Sequence, residues 1–103
     1  MQGGCSAAEP FALQVLGDSM LPEFEHGAII IVDPGGIIED GAYVVAQHAE
    51  EYVLRQLRRP DGRYVLAPLN AQYDAVEVPG VEAIMGVVVQ KAGRRRRDRK
   101  HYV

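Results

Sequence analysis

The chain has 103 residues, of which 48% are apolar and 24% are charged. This length suits a single domain with one modest hydrophobic core, and this composition excludes disordered and fibrous proteins. The apolar run at residues 28–32 is far shorter than the roughly 18 residues that a membrane-spanning helix needs, so the sequence predicts no membrane partner.

Residues 1–10 are small and polar and predict a flexible N-terminal arm. This arm lacks the charged and apolar regions of a secretory signal. Cys5 is the single cysteine and cannot form an internal disulfide, which agrees with a reducing compartment. Both observations favour a cytoplasmic protein.

The first predicted strand covers residues 11–16, where side chains alternate with a period of two. After a turn, residues 22–27 predict a loop or one short helical turn. Residues 28–32 are β-branched and apolar on both faces, so we predict a buried central strand there. The turn formers at residues 33–36 end it.

Three further strands form a predicted antiparallel meander. Residues 43–48 and 52–57 read as a hairpin, and the strong turn signal Pro60-Asp61-Gly62 leads into a strand at residues 63–67. A short edge at residues 76–78 and a last strand at residues 81–91 complete the domain. No stretch shows helical periodicity, so the sequence predicts a mainly β fold of twisted antiparallel strands, without a helix-turn-helix.

The segment Gly17-Asp18-Ser19-Met20-Leu21-Pro22 joins the first two predicted strands. Glycine and aspartate favour tight or left-handed backbone, and Pro22 restricts both itself and Leu21. Ser19 should therefore lie at a rigid bend, where it is a candidate nucleophile. The alternative is a plain turn, because these residue types are common in loops.

A longer pattern distinguishes these alternatives. Gly27, the apolar run at residues 28–32 and Gly41 follow the serine in an order and spacing that resemble the C-terminal domain of the LexA, UmuD and phage-repressor family of self-cleaving serine-lysine peptidases. The resemblance extends over residues 11–89, including Tyr73. It implies a β-clip-type fold at residues 11–92, between the arm and a basic tail at residues 93–103.

The resemblance also implies roles for individual residues. Ser19 takes the position of the nucleophile, the backbone N–H groups of Asp18 and Ser19 stabilise the oxyanion, and Gly17, Met20 and Pro22 support the turn. Arg55 takes the position of the general-base lysine. A lysine can act as a base once burial makes it neutral, but an arginine keeps its proton and has no lone pair to accept another.

Arg55 is therefore predicted to donate hydrogen bonds to Ser19, to carbonyls or to a carboxylate across the cleft. The alternative is a surface arginine on a misregistered strand. A displaced base is also conceivable: Lys91 and Lys100 do not match the family position, whereas His26 or His48 could pair with the serine.

The charge is divided unevenly along the chain. Residues 93–103 hold six basic residues against Asp98, a local charge of +5, so the net charge of −3 leaves −8 on the remaining body. The tail could bind nucleic acid by counterion release, although such charge runs are more often solvated ends. Its basic residues are Arg94, Arg95, Arg96, Arg97, Arg99 and Lys100.

Three hypotheses follow. The first is a catalytically impaired regulatory and dimerisation module of a stress-response (SOS) or phage-repressor system, with a homodimer formed through residues 84–89 and a repressor or polymerase-type protein as partner. The second is an active serine peptidase that uses Ser19 and a displaced base, in self-cleavage or in trans. The third is a nucleic-acid-associated protein acting through its tail. Only 18 residues precede Ser19, so we expect no substrate segment within the chain, and we expect no cofactor or metal.

Overall fold

Short strands joined by tight turns make up the computed structural model, which describes residues 9–92 and 99–102. Within these ranges, the helical elements are two 3-10 turns, Pro60–Gly62 and Val81–Ala83, and no helix is long and apolar enough to cross a bilayer. The strands are β1 (Phe11–Gln14), β2 (Ile29–Asp33), β3 (Tyr43–His48), β4 (Glu51–Arg58), β5 (Tyr64–Ala67), β6 (Val76–Val78), β7 (Ile84–Ala92) and β8 (Lys100–His101).

All eight strands belong to one antiparallel sheet in the order β1-β2-β7-β3-β4-β5-β6, with β8 paired to β7. The long β7 is the centre of this arrangement, because it pairs with β2, β3 and β8. Register shifts interrupt the ladder between Ile31 and Val32 in β2 and between Val45 and Ala46 in β3. Such bulges increase the local bend and twist of a sheet.

The sheet buries side chains on both faces. Successive residues of a strand point to opposite sides, so the neighbours Val44 and Val45 in β3 enter different clusters, as do Val87 and Val88 in β7. One cluster contains Met20 and Phe24 from the loop after β1, together with buried residues of β2, and the other contains residues of β4, β5 and β6. The loop that carries Ser19 is thus anchored in a core.

The mainly β fold and the meander of β3, β4 and β5 are confirmed. Ala49 and Glu50 have φ of 51° and 67° at the β3–β4 turn, the left-handed conformation that a two-residue hairpin of this type requires. The prediction that residues 28–32 are buried on both faces is wrong. Ile30 and Val32 are buried, but Ile29 is 41% exposed, because only one face of β2 is covered.

The strand at residues 84–92 differs from the prediction in two ways. It is not the last strand, since β8 follows it and pairs with Gln90 and Lys91. The strand composition also predicts that residues 84–89 are rich in exposed β-forming residues, and this prediction is wrong because Gly86, Val87 and Val88 are buried. Within this segment, β3 pairs with Ile84, Gly86 and Val87, and β2 pairs with Val87 and Val88. These pairings do not test the dimer contact at residues 84–89, which stays a prediction.

Candidate functional site

The loop between β1 and β2 holds Ser19 in a fixed turn. Two backbone bonds close its base: the Val15 N–H donates to the Ala28 carbonyl at 2.8 Å, and the Gly27 N–H donates to the Val15 carbonyl at 2.7 Å. Gly17 has φ of +91°, a conformation that glycine adopts without strain. The turn is also anchored by Met20, which is 1% exposed.

A second loop, which follows β5, holds the same turn from outside. The Asn70 N–H donates to the Ser19 carbonyl at 3.0 Å, and Asn70 Nδ2 donates to the Asp18 carbonyl at 3.1 Å. The Tyr73 hydroxyl donates to Asp18 Oδ1 at 2.5 Å, and this bond raises the pKa of Tyr73. Ser19 is therefore fixed by bonds that span more than fifty residues of sequence.

Arg55 reaches Ser19 from β4. Its Nη1 donates to Ser19 Oγ at 2.9 Å and to its neighbour's carbonyl, Leu54 O, at 2.8 Å. Burial lowers the pKa of the guanidinium, although an arginine remains charged at neutral pH. No carboxylate among the described residues forms an ion pair with it. The structure thus brings together the two residues that the sequence placed at the centre of the site.

A cleft of about 710 Å³ opens around this pair. Its walls are β1 and the Ser19 turn on one side and the first half of β4 on the other, with Tyr73 beside the pair. Leu16 and Tyr52 lie at the rim and are 76% and 66% exposed. The cleft combines an apolar rim with polar groups at the Ser19 turn.

The backbone N–H groups that are predicted to stabilise an oxyanion remain available in the described structure. Neither the Asp18 N–H nor the Ser19 N–H donates a hydrogen bond within the described ranges. An anionic oxygen next to Ser19 Oγ could accept from such donors. Within the same ranges, no three residues of the types His, Cys, Asp and Glu form a cluster that could hold a metal ion.

The candidate bases other than Arg55 are engaged elsewhere or lie at the surface. His26 Nδ1 accepts from the Gly17 N–H at 2.8 Å, and His48 is exposed at the end of β3. Lys91 and Lys100 form ion pairs with Glu23 at 3.3 Å and 2.8 Å. Among the described residues, no histidine or lysine hydrogen bonds to Ser19.

Glu23 forms a cluster of contacts that the sequence reasoning missed. Besides the two lysines, the Tyr102 hydroxyl donates to Glu23 Oε2 at 2.5 Å. Burial alone would raise the pKa of Glu23, but hydrogen bonds from Lys100 and Tyr102 and the charge of Lys91 lower it to about 2. Burial and the bond to Glu23 raise the pKa of Tyr102. The only feature of the sequence that could have indicated this cluster was an aromatic residue, Tyr102, within the basic tail.

This contact changes the interpretation of part of the tail. Lys100, in β8, forms an ion pair with Glu23 at 2.8 Å, and its binding of nucleic acid stays a prediction. Arg99 is exposed. Residues 94–97 lie outside the described ranges, and their binding of nucleic acid stays a prediction.

Comparison with known proteins gives consistent matches. A family model described as Peptidase S24-like matches residues 5–89. Over 90 residues the chain is 40% identical to an HTH-type transcriptional regulator for conjugative element R391 from Providencia rettgeri. This alignment covers 78% of this chain and 40% of the relative. Over 87 residues it is 40% identical to Repressor protein C2 of Salmonella phage P22, which covers 79% of this chain and 40% of that protein.

A third relative is LexA repressor 1 from Nocardia farcinica, which is 37% identical over 81 residues that cover 77% of this chain and 37% of the repressor. The chain therefore spans about two fifths of the length of the curated relatives it matches.

Proposed function

The chain belongs to the Peptidase S24-like family, that of the C-terminal domains of LexA and phage repressors, and we propose that it is a regulatory module of this family whose cleft does not hydrolyse peptide bonds. The proposal covers a module that associates with itself and with a repressor-type or polymerase-type protein in the cytoplasm. The names of its relatives as repressors and as a transcriptional regulator support the regulatory role.

The hydrogen bond from Arg55 Nη1 to Ser19 Oγ carries the proposal of an inert cleft. Serine attacks a carbonyl only when a base removes its hydroxyl proton. Here Arg55 Nη1 donates a hydrogen bond to the hydroxyl oxygen at 2.9 Å, and a guanidinium cannot accept the hydroxyl proton. The guanidinium also occupies the position next to Ser19 Oγ that the neutral amine of a general-base lysine would need.

The remaining parts of the site support a binding role. The Ser19 turn and the open cleft are present, and the N–H groups of Asp18 and Ser19 have no partner among residues 9–92 and 99–102. A site that loses its base but keeps these features still binds a peptide, because binding needs complementary shape and hydrogen bonds rather than proton transfer.

Labelling of Ser19 by a fluorophosphonate, followed by intact mass, tests the inert cleft. We expect no labelling of the wild type between pH 6 and pH 10. In Arg55→Lys, the same burial that lowers the pKa of Arg55 would lower that of the lysine. This variant should therefore gain labelling as the pH rises and the amine becomes neutral.

Ser19→Ala is the control for modification elsewhere, and Arg58→Lys, on the same strand but away from Ser19, is the matched control for the substitution. Labelling of wild-type Ser19 would show that a base exists and that the chain is an enzyme, which would overturn the proposal.

Self-association through the segment predicted from the sequence, residues 84–89, would use its exposed side chains and those of the preceding turn. Val81 and Met85 are 46% and 39% exposed and lie on consecutive elements at the start of β7. They could meet a second copy through their side chains, without edge pairing. We expect sedimentation velocity to show a dimer that Met85→Glu weakens at least tenfold, whereas Tyr52→Glu, which changes an exposed residue at the cleft rim, leaves it intact.

A further inference from the structure

The guanidinium of Arg55 has unused hydrogen-bonding capacity in the cleft. Its Nη1 serves Ser19 Oγ and Leu54 O, whereas Nη2 and Nε have no partner among the described residues. A guanidinium in a partly buried position is stabilised by a planar anion that takes two parallel hydrogen bonds. A carboxylate has that geometry, and none of the described residues supplies one here.

The backbone next to Arg55 offers the same kind of donor. The N–H groups of Asp18 and Ser19 are unpaired within the described ranges, and successive N–H groups in a turn form a concave site for an anion. The Asp18 carboxylate opposes an anion, but it accepts a hydrogen bond from Tyr73. The guanidinium of Arg55, the two backbone N–H groups and the Ser19 hydroxyl together form one set of hydrogen-bond donors.

The cleft walls are open strand edges. β1 pairs only with β2, and β4 pairs with β5 only from Gln56 onward, so residues 51–55 have one unpaired edge in the described structure. The Leu57 N–H donates to the carbonyl of Ala42, the residue just before β3, at 2.8 Å. Because the direction of backbone bonding alternates along an antiparallel strand, Tyr52 and Leu54 direct their backbone groups to the open edge, where the Leu54 carbonyl already accepts from Arg55 Nη1.

An extended peptide can pair with such an edge, and a free chain end can bind in a backbone concavity. From these observations, we propose that the cleft binds the C-terminal carboxylate of an extended peptide, with the carboxylate on Arg55 and the Ser19 turn and the preceding residues between β1 and β4. This inference rests on the proposed function, because a peptide held here must not be hydrolysed.

The rim defines the peptide further. Leu16 and Tyr52 are exposed apolar side chains on opposite walls, so the residues just before the carboxylate should be apolar. Glu50 and Glu51 lie at the far end, and Glu51 is about 13 Å along the strand from Arg55 at a rise of about 3.3 Å per residue. At that distance salt screens the repulsion between these two glutamates and the C-terminal carboxylate of the peptide. The same glutamates favour a basic peptide residue about four positions before the C-terminus.

Fluorescence anisotropy with two peptide pools tests the inference. The peptides of both pools are labelled at the N-terminus and have six residues. Lysine is at the fourth position from the end, and the other five positions are randomised among apolar residues. The two pools differ only at the C-terminus, which is a free carboxylate in one and an amide in the other. We expect the wild type to bind the carboxylate pool at least tenfold more tightly. This comparison uses the wild-type chain and does not depend on whether a variant folds.

Arg55→Gln should reduce the preference for the carboxylate pool to less than twofold, while Arg58→Gln, which removes the same charge from the same strand, should keep it. Circular dichroism of both variants checks that they are folded. Equal binding of the two pools, binding of neither pool, or a preference that survives Arg55→Gln in a folded variant would each overturn the inference.

The peptides are recovered after the measurement and analysed by mass spectrometry. Shortened peptides from the wild-type incubation would contradict the proposed inert cleft as well as this inference. Intact peptides without a carboxylate preference would remove the inference alone and leave the regulatory function standing.

Discussion

Asn70 is the side chain that couples the Ser19 turn to the rest of the sheet. Its Nδ2 donates to the Asp18 carbonyl, and its Oδ1 accepts from the Gln72 N–H at 3.0 Å. Asn70→Ala removes both bonds, and a net contribution of about 1 kcal/mol for each is typical. We therefore expect the free energy of unfolding to fall by about 1–2 kcal/mol in chemical denaturation.

The same variant should loosen the turn before it unfolds the domain. Hydrogen exchange of the Leu21 and Phe24 amides, which bond within the turn, should speed up more than exchange of the β3 and β7 amides. Gln72→Ala is the matched control, because the Gln72 side chain makes no hydrogen bond among the described residues. Equal effects of the two variants would show that Asn70 does not hold the turn.

At the level of single residues, the sequence predicted the centre of the site but not its surroundings. A local turn signal made Ser19 a candidate, whereas Arg55 was identified only through the resemblance to the family, which implies that it takes the position of the lysine. Tyr73 was recognised only as part of the resemblance, and no local pattern singled out Asn70. Their bonds to Asp18 cross fifty-two and fifty-five residues, so they depend on how the loop folds back, which no local pattern specifies.

Gly86 permits the close approach of β7 and β2. A Cβ added there would lie 2.5 Å from Val32 Cγ1 and 3.1 Å from the Asp33 carbonyl oxygen. Val32 is completely buried, so its side chain cannot move aside without disturbing the core. For Gly86→Ala we expect the free energy of unfolding to fall by about 1–3 kcal/mol, the usual cost of overpacking.

Gly35→Ala is the control for this substitution. A Cβ at Gly35 would meet Asp33 Oδ1 at 3.6 Å, an ordinary contact, and the N–H that donates to Asp33 Oδ1 is kept. Thermal and urea denaturation of the two variants should therefore separate clearly. A Gly86→Ala domain as stable as Gly35→Ala would mean that β2 and β7 can shift apart at little cost.

Among the elements, those defined by local turns were predicted best. The β3–β4 hairpin and the turn at Pro60–Gly62 follow from residues next to each other in sequence. The one-sided burial of β2 and the central place of β7 depend on which strands cover which face. β8 has only two residues, too few for any periodicity, and forms because β7 offers an edge beyond β3.

For the whole domain, the Glu23 contacts join segments that are far apart in sequence. Phe24 stacks at 4.9 Å from Tyr43 and at 5.6 Å from Tyr102, measured between ring centroids. Glu23 binds Lys91, Lys100 and Tyr102 next to these rings. The loop after β1 is therefore connected to the ends of both β7 and β8, and this loop is the one that carries Ser19.

Protonation of Glu23 should weaken this connection. Its pKa is lowered from 4.5 to about 2 in the folded protein, so the contribution to stability is complete above the unfolded value of 4.5 and is lost as the pH falls toward about 2. Glu23→Gln removes the charge at every pH. The difference in free energy of unfolding between wild type and Glu23→Gln should be about 2 kcal/mol at pH 7, the scale of hydrogen bonds to a charged group.

That difference should shrink as the pH decreases from 4.5 to 2, because the wild type loses the charge that the variant already lacks. Urea denaturation at half-unit steps of pH measures this difference, and Glu25→Gln, in the same loop, is the matched control for the substitution. A constant difference across this range would mean that the carboxylate of Glu23 contributes by packing. The connection between the Ser19 loop and residues 100–102 would then be one of packing, through Glu23 and the rings of Phe24 and Tyr102.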